Sequence, residues 1–142
     1  MRKFHGEKLV VATHNEGKLE EVRALFANKS VKILSSKSLD LPEPKETEDT
    51  FIGNARIKAH SASKITNLPS LADDSGITID ALNGSPGVYT ADWAETPAGR
   101  DFFVAMEKTY RALEEKSAPY PRKAQFRSVS YTHLTLPTKC WV

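Results

Sequence analysis

The run Leu9-Val10-Val11-Ala12 passes directly into the polar stretch Thr13-His14-Asn15-Glu16-Gly17-Lys18. Apolar and small residues, then a polar turn, then a lysine read as a strand, a tight loop and the first turn of a helix. Strands that alternate with helices in this way imply an α/β architecture. The junction also has a chemical consequence. The first N–H groups of a helix lack intrahelical partners, and the dipole adds partial positive charge there, so an anion is the natural guest. Thr13 and Asn15 can bond phosphate oxygens, Gly17 lets the backbone approach, and Lys18 brings a full charge. His14 and Glu16 lie inside the same loop, where His14 suits a phosphate or backbone contact better than general-base work. The loop is not a Walker A motif, which needs two glycines flanking four residues before Lys-Ser/Thr. Alone, it reads equally well as an ordinary strand-to-helix turn with a solvated lysine.

A second segment, Leu71-Ala72-Asp73-Asp74-Ser75-Gly76, sets two adjacent carboxylates at the end of an apolar run. Ile77-Thr78-Ile79-Asp80-Ala81-Leu82 follows as a strand, closed by the turn signal Asn83-Gly84. Neighbouring residues of a strand face opposite sides. Asp73 and Asp74 therefore have different jobs, one in a site and one structural. Carboxylate oxygens suit Mg²⁺, which is usually held by one or two carboxylates plus substrate phosphates. Asp-Ser-Gly is also ordinary turn chemistry.

Between these segments lies an acidic, Pro-punctuated loop, Leu41-Pro42-Glu43-Pro44-Lys45-Glu46-Thr47-Glu48-Asp49-Thr50. Apolar spacing after it predicts a helix over about 51–66 with Thr50 as N-cap. Asn54 and Lys58 are four apart and share a face, which would offer a second phosphate clamp beside carboxylates for a metal. The other elements are strands at about 9–13, 31–34, 70–73 and 77–81 and helices at about 17–28 and 100–116. On the last helix Phe102, Phe103, Met106, Tyr110 and Leu113 form an apolar stripe, expected to lie in the core, with a dimer surface as the alternative.

Together these segments resemble the inosine triphosphate pyrophosphatases, which act on non-standard purine nucleotides. The residues carrying the resemblance are Ala12–Lys18, Glu46-Thr47, Thr50-Phe51, Asn54-Ala55, Lys58-Ala59, Ala72–Gly76 and Gly84-Ser85-Pro86-Gly87-Val88-Tyr89. Their order and spacing follow the family from residue 8 to about 127. The resemblance implies a two-lobed α/β fold with a mixed twisted sheet and flanking helices. It implies hydrolysis of ITP, dITP or XTP between the α- and β-phosphorus, giving the monophosphate and pyrophosphate. It implies that Thr13, His14, Asn15, Glu16, Gly17, Lys18, Asn54, Lys58 and Ser75 contact substrate. Asp74 would bind Mg²⁺ and activate the attacking water, helped by Glu43 or Glu46, with Glu43 favoured. Mn²⁺ suits the same oxygen ligands. A homodimer is the assembly implied.

The chain departs from the family pattern in places. Lys45 stands where a first glutamate is common, Glu48 where glycine is common, and Thr90-Ala91-Asp92-Trp93 follows Tyr89 in place of Ser-Ala-Arg. After Arg127 the family's further strands, its aromatic-Gly-aromatic-Asp-Pro segment and its late Ser-His-Arg segment do not follow. Val129–Thr138 instead resembles one reading frame of a transposase-based sequencing adapter. Residues 1–127 therefore read as a partial pyrophosphatase domain and 128–142 as a non-native tail. A chain of this extent is expected to be weakly active or inactive.

Composition bounds the remaining choices. Hydrophobic residues make up 39% and charged residues 27%, an ordinary globular balance. A net charge of +2 gives no field that argues for nucleic acid or membrane partners. No apolar run approaches membrane length and no signal-peptide segment is evident, in keeping with a cytoplasmic enzyme. The single cysteine, Cys140, falls in the tail and excludes disulfides and cysteine-metal sites before it. Two rivals from other classes are a phosphate-binding module without catalysis and an interaction domain in which the carboxylates only cap turns.

Overall fold

A computed structural model describes residues 4–134. Cys140 and the end of the tail lie outside the described residues. The elements run β1 (Lys8–Val11), α1 (Glu16–Leu25), β2 (Lys32–Ser35), α2 (Phe51–Thr66), β3 (Ser70–Ile79), β4 (Glu95–Thr96), β5 (Gly99–Arg100), α3 (Phe102–Glu115) and β6 (Ala124–His133). Short 3-10 turns at Asp80–Leu82, Gly87–Tyr89 and Asp92–Ala94 bridge β3 to β4. The main sheet has the order β2-β1-β3-β6, and β4 and β5 form a separate antiparallel ribbon. Strand β1 is parallel to both neighbours, with Val11 opposite Ser35 on one side and Leu71 on the other. This is the α/β architecture expected from the sequence, with helices flanking a mixed sheet.

The chain divides into two compact units. The first holds residues up to Glu48, Ile52–Asp73 and Ser130 onward. Its core is Val10, Ala12, Leu41, Ala59, Ala62 and Ala72, with Leu34, Leu39, Leu68 and Tyr131 packed around it. Alanines at 55, 59 and 62 give α2 a smooth buried face that lets it lie close to the sheet. Buried Ser70 donates its hydroxyl to the Ala59 carbonyl, so this polar group is satisfied inside the core.

The second unit holds Asp49–Phe51 and Asp74–Val129. Its core is Ile79, Leu82, Leu113 and Ala118, with Ile77, Ala81, Trp93 and Ala112 packed against it. Asp101 caps α3 by accepting from the Phe103 N–H at 3.0 Å.

Several expectations need correction. The strands anticipated at 70–73 and 77–81 are one continuous strand, β3, which gives way to a 3-10 turn after Ile79. Gly76 explains the continuity. A Cβ at this position would collide with the Gly87 carbonyl oxygen and Thr90 Oγ1, so here the glycine admits a neighbouring segment rather than making a turn. Thr90 then accepts from the Ile77 N–H at 3.0 Å.

The apolar stripe of α3 is not core. Phe103 is 77% exposed, and Phe102, Met106 and Tyr110 are exposed as well, while Leu113 alone of the five is buried. The helix instead buries Ala105 and Leu113, with Thr109 and Ala112 half-buried beside them, because small residues permit the closer approach. Strand β6 runs unbroken across 127/128.

Candidate functional site

The loop after β1 is built by local hydrogen bonds. Thr13 Oγ1 accepts from the Asn15 N–H at 3.1 Å, and Asn15 Oδ1 accepts from the Lys18 N–H at 3.2 Å. Asn15 is thus the N-cap of α1, with extended backbone angles, and satisfies one N–H of the first turn. Thr13 retains its hydroxyl proton and Asn15 its amide donors for an anion. Gly17 lies under the cap, where an added Cβ would come within 3.2 Å of Asn15 Oδ1. His14 Nε2 lies 3.1 Å from the Leu41 carbonyl oxygen. Donation to a carbonyl requires a proton on that nitrogen. The ring therefore ties the loop to the start of the acidic segment. Glu16 pairs with Lys37 at 3.4 Å, with both side chains mostly exposed. Such a pair adds little to stability.

Both lysines singled out in the sequence meet carboxylates. Lys18 Nζ lies 2.7 Å from Asp73 Oδ2, and Lys58 Nζ lies 3.3 Å from Glu46 Oε1. Lys58 is the more enclosed, with its side chain 14% exposed. Glu46, not Glu43, is therefore the acidic-loop carboxylate held at a lysine of α2. Glu43 is exposed.

Asn54 bonds the acidic loop. It is only 2% exposed and uses both ends of its amide on one backbone unit. Oδ1 accepts from the Glu48 N–H at 3.0 Å, and Nδ2 donates to the Glu48 carbonyl at 3.1 Å. Asn54 pins the acidic loop to the first turns of α2.

In the second unit, Asp74 is buried and Ser75 is half-buried. Burial alternates along β3, with Ser70, Ala72, Asp74 and Gly76 buried and Leu71, Asp73, Ser75 and Ile77 less so. The two aspartates therefore lie on opposite faces of the strand, as strand geometry requires. Among the described residues, no three acidic, imidazole or thiol side chains gather into a metal cluster. A buried carboxylate such as Asp74 still fits a hard cation, since Mg²⁺ takes one or two carboxylates and completes its shell with phosphates and water.

Asp73 and Glu48 were missed by the sequence reading as partners of site residues. For Asp73 the signal was available in the strand alternation. For Glu48 none was, because it contributes only backbone.

The chain is 64% identical over 126 residues to a dITP/XTP pyrophosphatase of Ruegeria pomeroyi, covering 89% of this chain and 62% of the relative. It is 53% identical over 132 residues to a dITP/XTP pyrophosphatase of Bartonella quintana, covering 91% and 61%. The chain thus spans less than two thirds of the length of these relatives. A solved HAM1 protein from Coxiella burnetii superposes with a TM-score of 0.83 at 35% identity, covering 92% of this chain and 64% of that one. The Ham1 protein of Staphylococcus aureus superposes with a TM-score of 0.75 at 30% identity, covering 89% and 63%. The Ham1 family matches residues 9–139, nearly the whole sequence, and the chain belongs to that family.

Proposed function

We propose that this chain carries the phosphate-gripping and water-activating residues of a nucleoside triphosphate pyrophosphatase acting on dITP, ITP and XTP. The observation that carries the reading is the capped loop Thr13–Lys18 in a chain 64% identical to a dITP/XTP pyrophosphatase. In the proposed reaction a water oxygen attacks the α-phosphorus, its bond to the bridging oxygen breaks, and pyrophosphate leaves. Such transfer needs mainly positioning and neutralisation of oxygen charge. Thr13, Asn15 and the backbone around Gly17 hold the phosphate oxygens at the start of α1, with His14 and Glu16 bracing the loop. Lys18 and Lys58 neutralise them. Asp74 accepts a proton from the attacking water, and Ser75 contacts the substrate. Asn54 acts by holding the acidic loop in place.

Asp74, with Glu46 or Glu43, would hold Mg²⁺ or Mn²⁺, which supplies Lewis-acid neutralisation of the phosphate charge when bound. The enzyme is proposed to be cytoplasmic and homodimeric, with a nucleotide rather than a nucleic acid or membrane as its partner. Among the described residues, no helix is long and apolar enough to cross a membrane.

Calorimetric titration of XTP in Mg²⁺, paired with pyrophosphate detection, tests the reading. Lys18→Ala should weaken binding about ten-fold or more, the scale of a charge-assisted phosphate contact. Asp74→Asn should still bind nucleotide but release no pyrophosphate. Binding that ignores Lys18, or turnover that survives Asp74→Asn, would overturn it.

A further inference from the structure

We infer that Asp73 is a positioning residue for the phosphate loop, holding Lys18 in line with the triphosphate. The inference rests on the proposed function and deepens it. Asp73 belongs to neither the fold's core nor the expected ligand set, yet its Oδ2 lies 2.7 Å from Lys18 Nζ. Its place follows from strand register. In the parallel pairing of β1 with β3, Val11 stands opposite Leu71, and the Ala12 N–H donates to the Leu71 carbonyl at 2.8 Å. Two residues further along the chain are Thr13, in the loop just past the end of β1, and Asp73, still within β3. The same register that starts the loop therefore sets a carboxylate beside it.

The alternation of β3 puts Asp73 on the face opposite Asp74. The two adjacent aspartates thus divide two tasks, and Asp73 serves the lysine. Lys18 is the third residue of α1, and its own N–H is fixed by the Asn15 cap. Backbone and side chain are therefore held from opposite ends, by Asn15 and Asp73. With its side chain only 30% exposed, Lys18 gives up rotamer freedom before substrate arrives rather than on binding.

A second role is chemically conceivable for such a carboxylate, that of a stand-in anion which phosphate must displace. The two roles predict opposite signs, because Asp73 brings a negative charge near a polyanion. The test is a double-mutant cycle on inorganic tripolyphosphate binding, measured by calorimetry with the full chain. It uses wild type, Asp73→Asn, Lys18→Ala and the double variant. Positioning predicts that Asp73→Asn weakens binding about two- to five-fold when Lys18 is present, the coupling typical of a partly exposed ion pair. In the Lys18→Ala background the same change should leave binding unchanged or tighten it, since only a repelling charge is lost. Asp73→Glu should restore most of the wild-type affinity, which a purely structural role for the aspartate would not require. Circular dichroism confirms that each variant is folded.

Tighter binding by Asp73→Asn in the wild-type background overturns the inference in favour of the stand-in anion. Equal effects in both backgrounds overturn it as well. Wild type that binds no tripolyphosphate would overturn both the inference and the phosphate-loop reading beneath it. Loss of the Asp73 effect alone, with Lys18 still required, would leave that reading standing.

Discussion

Truncating Asn54 to alanine should unfasten the acidic loop. Its amide makes two hydrogen bonds to the Glu48 backbone, at 3.0 and 3.1 Å, from a side chain 2% exposed. Each such bond contributes about 1 kcal/mol net, so the pair contributes about 2 kcal/mol. Glu48 itself is exposed, so water can take over its freed N–H and C=O, and no full desolvation penalty is added. The cost of Asn54→Ala is therefore about 2 kcal/mol, with a small further term for the gap left at the helix. In urea this shifts the unfolding midpoint down by roughly 1 M. Asn54→Asp separates hydrogen bonding from packing. One carboxylate oxygen still accepts from the Glu48 N–H, but the other faces the Glu48 carbonyl and repels it. That variant should be as unstable as Asn54→Ala at neutral pH. It should recover in acid, where protonation restores a donor. The introduced carboxyl has its folded pKa raised, so the recovered stability is present below its unfolded value and lost as pH rises through the folded one. Limited proteolysis within 43–50 reports the loop directly and should accelerate in both variants. A midpoint shift below about 0.3 M for Asn54→Ala, or no acid recovery for Asn54→Asp, would refute the clamp.

Further outcomes follow from the same structure. Gly76→Ala should cost about 1–3 kcal/mol in chemical unfolding, because its Cβ meets the Gly87 carbonyl and Thr90 Oγ1. Changing Phe103 and Met106 together to serine should leave the unfolding midpoint nearly unchanged and reduce self-association in ultracentrifugation, since both are exposed. His60 has its pKa lowered from 6.5 by desolvation first, then by His133 and Arg56. The folded state therefore binds fewer protons than the unfolded one, and stability falls as pH drops below about 6.5. His60→Gln should flatten that part of a stability-against-pH curve, with a small effect because the side chain is exposed.

What the sequence made legible was local. The apolar run and polar turn at 9–18 produced β1, a capped loop and α1 because those features act within a few residues. Helix α2 spans Phe51–Thr66, the bounds its periodicity announces. Strand alternation separated Asp73 from Asp74 before any coordinate did. What stayed hidden depends on contacts distant along the chain. Gly76 reads as a turn residue until residues 87–90 are seen against it. The hold of Asn54 on the backbone of Glu48 likewise has no sequence signal. The α3 stripe reads as core because aromatic residues usually are, yet the close-packing alanines win the buried face. The packing of Tyr131 against the core of the first unit and under the Arg56 guanidinium likewise has no local signal.

The central claim is hydrolysis at the α-phosphorus by residues around the Thr13–Lys18 loop. The most direct test incubates XTP and Mg²⁺ with the chain in ¹⁸O-labelled water and reads the products by mass spectrometry, which registers even slow turnover. The account predicts one ¹⁸O atom in the nucleoside monophosphate, unlabelled pyrophosphate, and no product with Asp74→Asn. Label in pyrophosphate, release of orthophosphate from XTP, or product that persists with Asp74→Asn would contradict it.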